Sequence, residues 1–377
     1  MKFFRPRRRR LQPYEKDFLK SSRRQNKARS SKRWKLFNYT VILLIAALGV
    51  GIIYGISITM SVIRNADRLM RLPAGEFNHM AGNLMPQHEQ VLFPSRNHDI
   101  NLSGWYFKAP EGPAKGNLIL VHNNRENRLQ FGLETANLAQ VLLNRKFNLL
   151  IFDLRHSGKS DGKLSTYGYA EYLDLLGAMD FMYQVSGDRN FILFGVGTGC
   201  TTSLFAFERL FQDAKNEEKL KAETAATADK TGKDDKKDQA SNPGIQVQDI
   251  KAMILDTPAS SADDYIRAEI KSEGFWNRNY YYPYIPQAVK ASIGDFAEGN
   301  LVPIVTSVQA PILILYPQYD NVIGTETVEN LLKERNRLNH ETTYIHRFEG
   351  LQGHLNAWQE RREEYQEALT EFLDRYF

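Results

Sequence analysis

Cysteine is almost missing from this chain, with one thiol, Cys200, in 377 residues. An internal disulfide is thereby excluded, and a lone thiol suits a bacterial exported domain. No Cys/His/Asp cluster has metal-ligand spacing, and no stretch reads as a cofactor-binding motif, so neither a metal nor a cofactor is expected. Charge is missing from Leu36 to Ile63, twenty-eight residues built around Val41-Ile42-Leu43-Leu44-Ile45 and Ile52, Ile53, Ile56 and Ile58. That exceeds the ~20 apolar residues that cross a hydrocarbon core of ~30 Å, so a transmembrane helix is expected over 36–63. A cleavable signal peptide would carry an apolar region of about 7–15 residues behind a short basic lead. The expectation is therefore an uncleaved anchor.

Acidic residues are scarce ahead of that helix. Residues 1–36 hold fifteen Lys and Arg against Glu15 and Asp17, so a chain of net charge +5 combines a strongly basic tail with an acidic remainder. Positive charge collects on the cytoplasmic side, which places the tail (1–35) inside and the C-terminal domain outside the cell membrane. Beside a membrane span the natural partner of such a tail is anionic lipid, and no nucleic-acid partner is read from it.

After the span, residues 64–90 carry scattered Met, Gly, Pro and His without a period and read as a linker or docking segment leaving the membrane, with the main domain over 91–377. Ile100 to Phe107 alternates like a half-buried strand, while Gly116 to His122, Phe147 to Asp153, Ala252 to Asp256 and Pro311 to Tyr316 are solid apolar runs, as in strands covered on both faces. Thr343 to Phe348 supplies another strand. Helical patterns lie between them: about Gln130 to Asn144, with Leu133, Ala136, Leu138 and Val141 facing inward, Tyr169 to Val185, and a last helix over about Ala357 to Tyr376. This alternation predicts an α/β class with a doubly wound, mostly parallel sheet. Two stretches break the rhythm. Residues 212–244, rich in Lys, Asp, Glu, Ala and Thr, read as a low-complexity, partly disordered loop. Residues 259–309, with Phe275, Trp276, Tyr280, Tyr281, Tyr282 and Tyr284, lie between two sheet strands and read as a cap over the ligand crevice.

The chain is organised around Asn190 to Cys200, where an apolar run enters Gly195-Val196-Gly197-Thr198-Gly199 and a helix-compatible stretch follows. Strand, tight turn and helix are the plan of a nucleophile elbow, in which Gly-x-Ser-x-Gly lifts a serine above a sheet. Here the central residue is Gly197, and the side chain that would do the chemistry is absent. Asp153-Leu154-Arg155-His156-Ser157-Gly158-Lys159-Ser160, then Thr166, Gly168, Glu171 and Asp174, then Asp320 after the strand ending in Tyr316, and Gly353-His354 near the end complete a pattern. Over residues 90–377 the chain resembles the α/β-hydrolase superfamily, in its serine aminopeptidase-like, acyl- or peptide-hydrolase branch.

The resemblance implies an α/β-hydrolase fold and assigns the positions of a catalytic triad. The nucleophile position falls on Gly197, the acid on Asp320 and the base on His354. Where the branch has His-Gly after the third strand, this chain has His122-Asn123, and Asn123 either crowds the oxyanion or donates to it. Thr198 supplies the other oxyanion position. Glycine meets the strained elbow backbone at little steric cost, so loss of serine is compatible with a stable fold. Two readings follow. In the first, the chain is a membrane-anchored binding or sensing module without serine-hydrolase turnover, taking a small hydrophobic, acyl or peptidic ligand. In the second it is a live ester, amide or peptide hydrolase that uses His354 and Asp320 on water, or recruits Thr198 or Cys200. His156 and His346 read as surface or strand-face histidines.

Overall fold

The computed structural model describes residues 12–78, 81–110, 112–231, 244–273, 282–294 and 299–377, with the backbone alone over 224–231. Two compact units divide between Ser61 and Val62. The first is the N-terminal part of helix α1 (Pro13–Met70). Its uncharged stretch is exposed, Leu43 at 68 % and Ile53 at 70 %, and none of the most apolar window is buried. By length and composition α1 is a candidate membrane span. A helix satisfies all its backbone groups internally, as lipid requires.

In the second unit an eight-stranded sheet comprises β1 (Glu89–Pro94), β2 (Asn101–Phe107), β3 (Asn117–Val121), β4 (Asn148–Phe152), β5 (Phe191–Val196), β6 (Ile250–Asp256), β7 (Ile312–Tyr319) and β8 (Thr343–Gln352). Their spatial order is β1-β2-β4-β3-β5-β6-β7-β8. β1 and β2 pair antiparallel, β2 joins β4 antiparallel, and every later pair is parallel. β3, β4 and β5 are buried at every position, which is why they appear in the sequence as unbroken apolar runs. Alternate residues face opposite helix layers. Leu118, Leu120, Leu149, Ile151, Ile192 and Phe194 share one cluster with α2 (Thr135–Asn144), α9 (Ala357–Glu360) and α10 (Arg362–Tyr376). The other face meets α3 (Tyr172–Ser186) and α4 (Thr198–Thr231). Helices α5 (Ala262–Ser272), α6 (Ile285–Ser292) and α7 (Val302–Ser307) lie between β6 and β7, and α8 (Thr325–Asn339) between β7 and β8.

Several expectations are corrected. Of the two readings of residues 64–90, the structure has the docking segment and not the linker: Ala66, Leu69, Met70, Ala81 and Met85 are buried, and β1 begins at Glu89. The segment has no period because separate contacts hold it. Ser165 N donates to Met70 O (2.8 Å), Gly75 N to Arg125 O (2.5 Å), and Phe77 lies 6.0 Å from Trp105. In α2 the buried positions are Thr135, Leu138, Ala139, Leu142 and Leu143, while Leu133 precedes the helix and is 48 % exposed. The last helix breaks at Arg361, and the break lets Trp358 and Tyr365 both turn into the core with rings 5.2 Å apart.

The expected loop over 212–244 is helical as far as Thr231, because α4 continues through it; residues 232–243 lie outside the described ones. Lys, Glu and Ala are strong helix formers, and a helix already docked on the sheet extends without paying nucleation again. Pairs four apart, Arg209–Asp213 and Lys221–Glu217 among them, support it. In the cap, Phe275, Trp276, Tyr280 and Tyr281 are outside the described residues; Tyr282 is half-buried and Tyr284 exposed.

Candidate active site

The turn between β5 and α4 places Gly197 at φ +56°, the left-handed region open to glycine without strain. Three bonds hold the turn: Gly197 N donates to Asp256 O (2.9 Å), Cys200 N to Gly197 O (2.9 Å), and the Tyr265 hydroxyl of α5 to Gly197 O (2.9 Å). Gly199 permits the close crossing of β3 and α4, since a Cβ there would stand 2.1 Å from Val121 O.

His122 ends β3 and shapes the loop that follows. Leu154 N donates to its Nε2 (2.9 Å), so the proton sits on Nδ1, which donates to Asn123 O (2.7 Å). Burial holds its pKa below the ordinary value, keeping the ring neutral. Asn123 is thereby aimed at the elbow. Its Oδ1 accepts from Thr198 N (3.0 Å) and from the Thr198 hydroxyl (3.2 Å). An amide oxygen must face that N–H, which fixes the amide's orientation. Asn123 N in turn donates to Gln130 Oε1 (2.6 Å), and Asn124 N to Thr198 Oγ1 (2.6 Å). Both backbone N–H groups that would face a developing oxyanion, those of Asn123 and Thr198, are thus spent on side-chain oxygens of the chain itself. Asn123 also fills the space a nucleophile would take: a Cβ on Gly197 would lie 2.4 Å from Asn123 Oδ1 and 3.0 Å from Leu355 Cδ1.

Asp320 and His354, far apart in the chain, come together. Asp320 follows β7 and His354 follows β8, and His354 Nδ1 meets Asp320 Oδ2 at 2.7 Å. Asp320 Oδ1 accepts from Val322 N (2.8 Å) and Ile323 N (2.9 Å). Burial pushes this carboxyl up, but the bond and charge of His354 with the two N–H groups outweigh it, and its pKa lies below the usual carboxylate value. In the neutral ring the Nδ1–H faces Asp320 and Nε2 is the acceptor. A cavity of about 100 Å³ opens beside it, lined by Asn123, Tyr167, Thr198, Tyr265, Glu269 and His354 among others.

Both neighbours of the elbow that carry a hydroxyl or thiol are held by the protein's own groups. The Thr198 hydroxyl is bound between Asn124 N and Asn123 Oδ1. Cys200 is fully buried against Gly195 O and Asp256 O, and burial pushes its thiol well above the ordinary value, away from the thiolate a nucleophile needs. His156 docks on Leu72 O (3.2 Å) and His346 on Glu364 (3.0 Å), both away from the site. Among the described residues no three His, Cys, Asp or Glu are grouped as metal ligands.

Sequence reasoning missed Gln130, Tyr265 and Asp256. Asp256 ends β6 below the elbow, taking bonds from Tyr365 Oη (2.8 Å) and Thr257 Oγ1 (2.9 Å). Burial pushes its carboxyl up to about 6. The folded form therefore keeps its proton where the unfolded form, with an ordinary value of 3.8, has lost it, so this group's contribution falls as pH rises from about 4 to about 6. Asp256→Asn is accordingly expected to gain stability relative to the unsubstituted chain across that window, on the order of 2 kcal/mol, in urea melts at pH 4, 5, 6 and 7. A difference that stays constant over those melts refutes the assignment.

No protein-family model matches the chain, and no curated protein matches it. Solved structures do. The esterase Pf2001 of Pyrococcus furiosus is 19% identical with a TM-score of 0.57, over 81% of this chain and 98% of the esterase. DcsB, solved in complex with its substrate analogue, is 15% identical with a TM-score of 0.51, over 77% of this chain and 100% of DcsB. At these identities the likeness establishes the architecture: the chain has the α/β-hydrolase fold, preceded by an apolar helix.

Proposed function

We propose that this chain is a membrane-anchored α/β-hydrolase-fold protein without serine-hydrolase turnover, whose outer domain binds or senses a ligand. One observation carries the reading: at an elbow whose central residue is glycine, the amide oxygen of Asn123 fills the space above Gly197 and also takes the Thr198 N–H, so neither a nucleophile nor a free oxyanion donor stands there. Substrate-like recognition survives such a loss, since binding and turnover draw on different groups. The basic tail lies inside against anionic lipid, α1 spans the membrane once, and the folded unit faces outward. A small ligand is in keeping with the cavity of about 100 Å³ that opens beside His354.

The retained Asp320–His354 pair supports a second reading, a hydrolase in which His354 Nε2 takes a proton from water without a covalent intermediate. A single experiment separates the two. The full chain in detergent is treated with a fluorophosphonate probe and assayed on p-nitrophenyl butyrate. The expected result is neither labelling nor turnover above the rate of His354→Ala. Turnover without labelling that vanishes in His354→Ala establishes the water mechanism, and covalent labelling overturns both readings.

A further inference from the structure

Two of the loops that wall the cavity beside His354 are held by the segment that leaves α1. The last turns of α1 belong to the folded unit, with Val62, Ala66, Leu69 and Met70 buried, and residues 72–78 after them form neither helix nor strand. Backbone groups without a ladder of their own need partners, and these find them on the two loops. In the loop after β3, Gly75 N donates to Arg125 O (2.5 Å), and Asn127 Nδ2 donates to Gly75 O (3.3 Å). In the loop after β4, Ser165 N donates to Met70 O (2.8 Å) and His156 Nε2 to Leu72 O (3.2 Å). Phe77 closes the far end of the segment, against the Arg128 guanidinium (5.3 Å) and Lys159 Nζ (5.2 Å).

These contacts fall where the backbone is strained. Arg125 (φ +63°), His156 (φ +62°) and Tyr167 (φ +60°) are non-glycine residues in the left-handed region, a conformation that persists only where the surroundings over-determine it. The same loops reach the site. Asn123, Asn124 and Tyr167 line the cavity, and the Ser165 hydroxyl donates to Asn124 Oδ1 (2.6 Å). Arg125 binds Glu269 (2.7 Å) and Glu273 (2.9 Å) at the C-terminal end of α5. Upstream the segment joins a stiff element, since α1 holds neither glycine nor proline between Gly55 and Met70, the residues at which helices kink.

We propose that residues 70–77 are a strap through which α1 sets the shape of the cavity. Docked, the strap holds the loops after β3 and β4 in their left-handed turns and keeps the cavity small, at about 100 Å³. Drawn off by a change in the tilt of α1, it lets both loops relax, Arg125 leaves α5, and the cavity opens. The coupling runs both ways: a ligand that binds the closed cavity more tightly also fastens the strap. The inference rests on the proposed reading of α1 as an anchor and of the cavity as the binding site, and it adds the regulation of that site.

The test uses the full chain in nanodiscs of dimyristoyl or dieicosenoyl phosphatidylcholine, read by hydrogen exchange with mass spectrometry. The uncharged stretch of twenty-eight residues reaches about 42 Å at ~1.5 Å per residue, so it tilts more in the thinner bilayer. Exchange over 123–128 and 154–167 is expected to be about threefold faster there, with β5 and β6 unchanged. A flexible glycine-serine insertion between Ser61 and Val62 leaves every strap contact in place and should abolish the difference. Gly75→Pro, which removes the N–H on Arg125 O, should speed exchange in both loops about tenfold in either bilayer. With Ala268→Cys as a reporter on the cavity wall, Gly75→Pro should also speed alkylation by N-ethylmaleimide about threefold, the buried Cys200 giving a slow background. No dependence on the bilayer, a dependence that survives the insertion, equal alkylation, or a rise shared by β5 and β6 overturns the proposal. Fluorophosphonate labelling in the same discs would instead overturn the nucleophile-free reading and leave the coupling standing.

Discussion

Gly197→Ser, introduced alone, is expected to yield no esterase and a less stable protein, whereas Gly197→Ser combined with Asn123→Gly is expected to react with a fluorophosphonate. The new serine would sit at φ +56°, where L side chains are strained, with its Cβ 2.4 Å from Asn123 Oδ1. Overpacking and backbone strain together cost on the order of 3 kcal/mol. Removing the Asn123 side chain opens that space and returns the Thr198 N–H to the site. It also restores a His-Gly sequence after β3. A single oxyanion donor is worth about 10²–10³-fold in rate, so the double variant should exceed the single one by at least about a hundredfold in labelling rate. Intact-mass spectrometry after timed exposure to the probe reads both. Equal labelling of the two variants would show that Asn123 obstructs nothing. Silence in both would show that Asp320 and His354 no longer address the elbow.

The second large effect concerns the loop after β4. Asp153→Asn should lower stability by about 3–5 kcal/mol, because it leaves the Arg128 guanidinium buried without its counter-charge. Asp153 is wholly buried and accepts from Arg128 N (2.7 Å), Arg128 Nη2 (2.6 Å), Arg128 Nε (3.1 Å) and Lys159 N (2.7 Å). Arg128 itself lies over Phe77 (5.3 Å) and Trp105 (5.1 Å), so it has no route to water. Thermal melts followed by circular dichroism should show a midpoint lower by on the order of 10 °C. A shift within about 2 °C would mean the pair is solvated. The pair also ties the segment after α1 to the sheet, since Phe77 covers the guanidinium. This carboxylate belongs to the sequence pattern that carried the resemblance, and its role here is structural.

Much of the architecture was legible because the buried strands are continuous apolar runs and the helices between them carry a period. β3 to β7 fall where those runs are. What escaped was segments held by single contacts. Residues 64–88 lack a period because Met70, Gly75 and Phe77 each find a different partner far along the chain. The extension of α4 escaped because a charged composition describes a solvated helix as well as a disordered loop, and only attachment to a docked helix decides between them.

At the site the division is similar. The absence of a nucleophile at Gly197 and the positions of Asp320 and His354 are properties of the residue order, as is the uncharged run of 36–63. The orientation of Asn123 is not. Whether its amide donated to the oxyanion or took the oxyanion's place was open in one dimension. It was decided by a neutral His122 whose proton faces Asn123 O, by Gln130 holding Asn123 N, and by Thr198 N needing an acceptor. A buried N–H must be paired, and the nearest oxygen that folding brought to it was the protein's own.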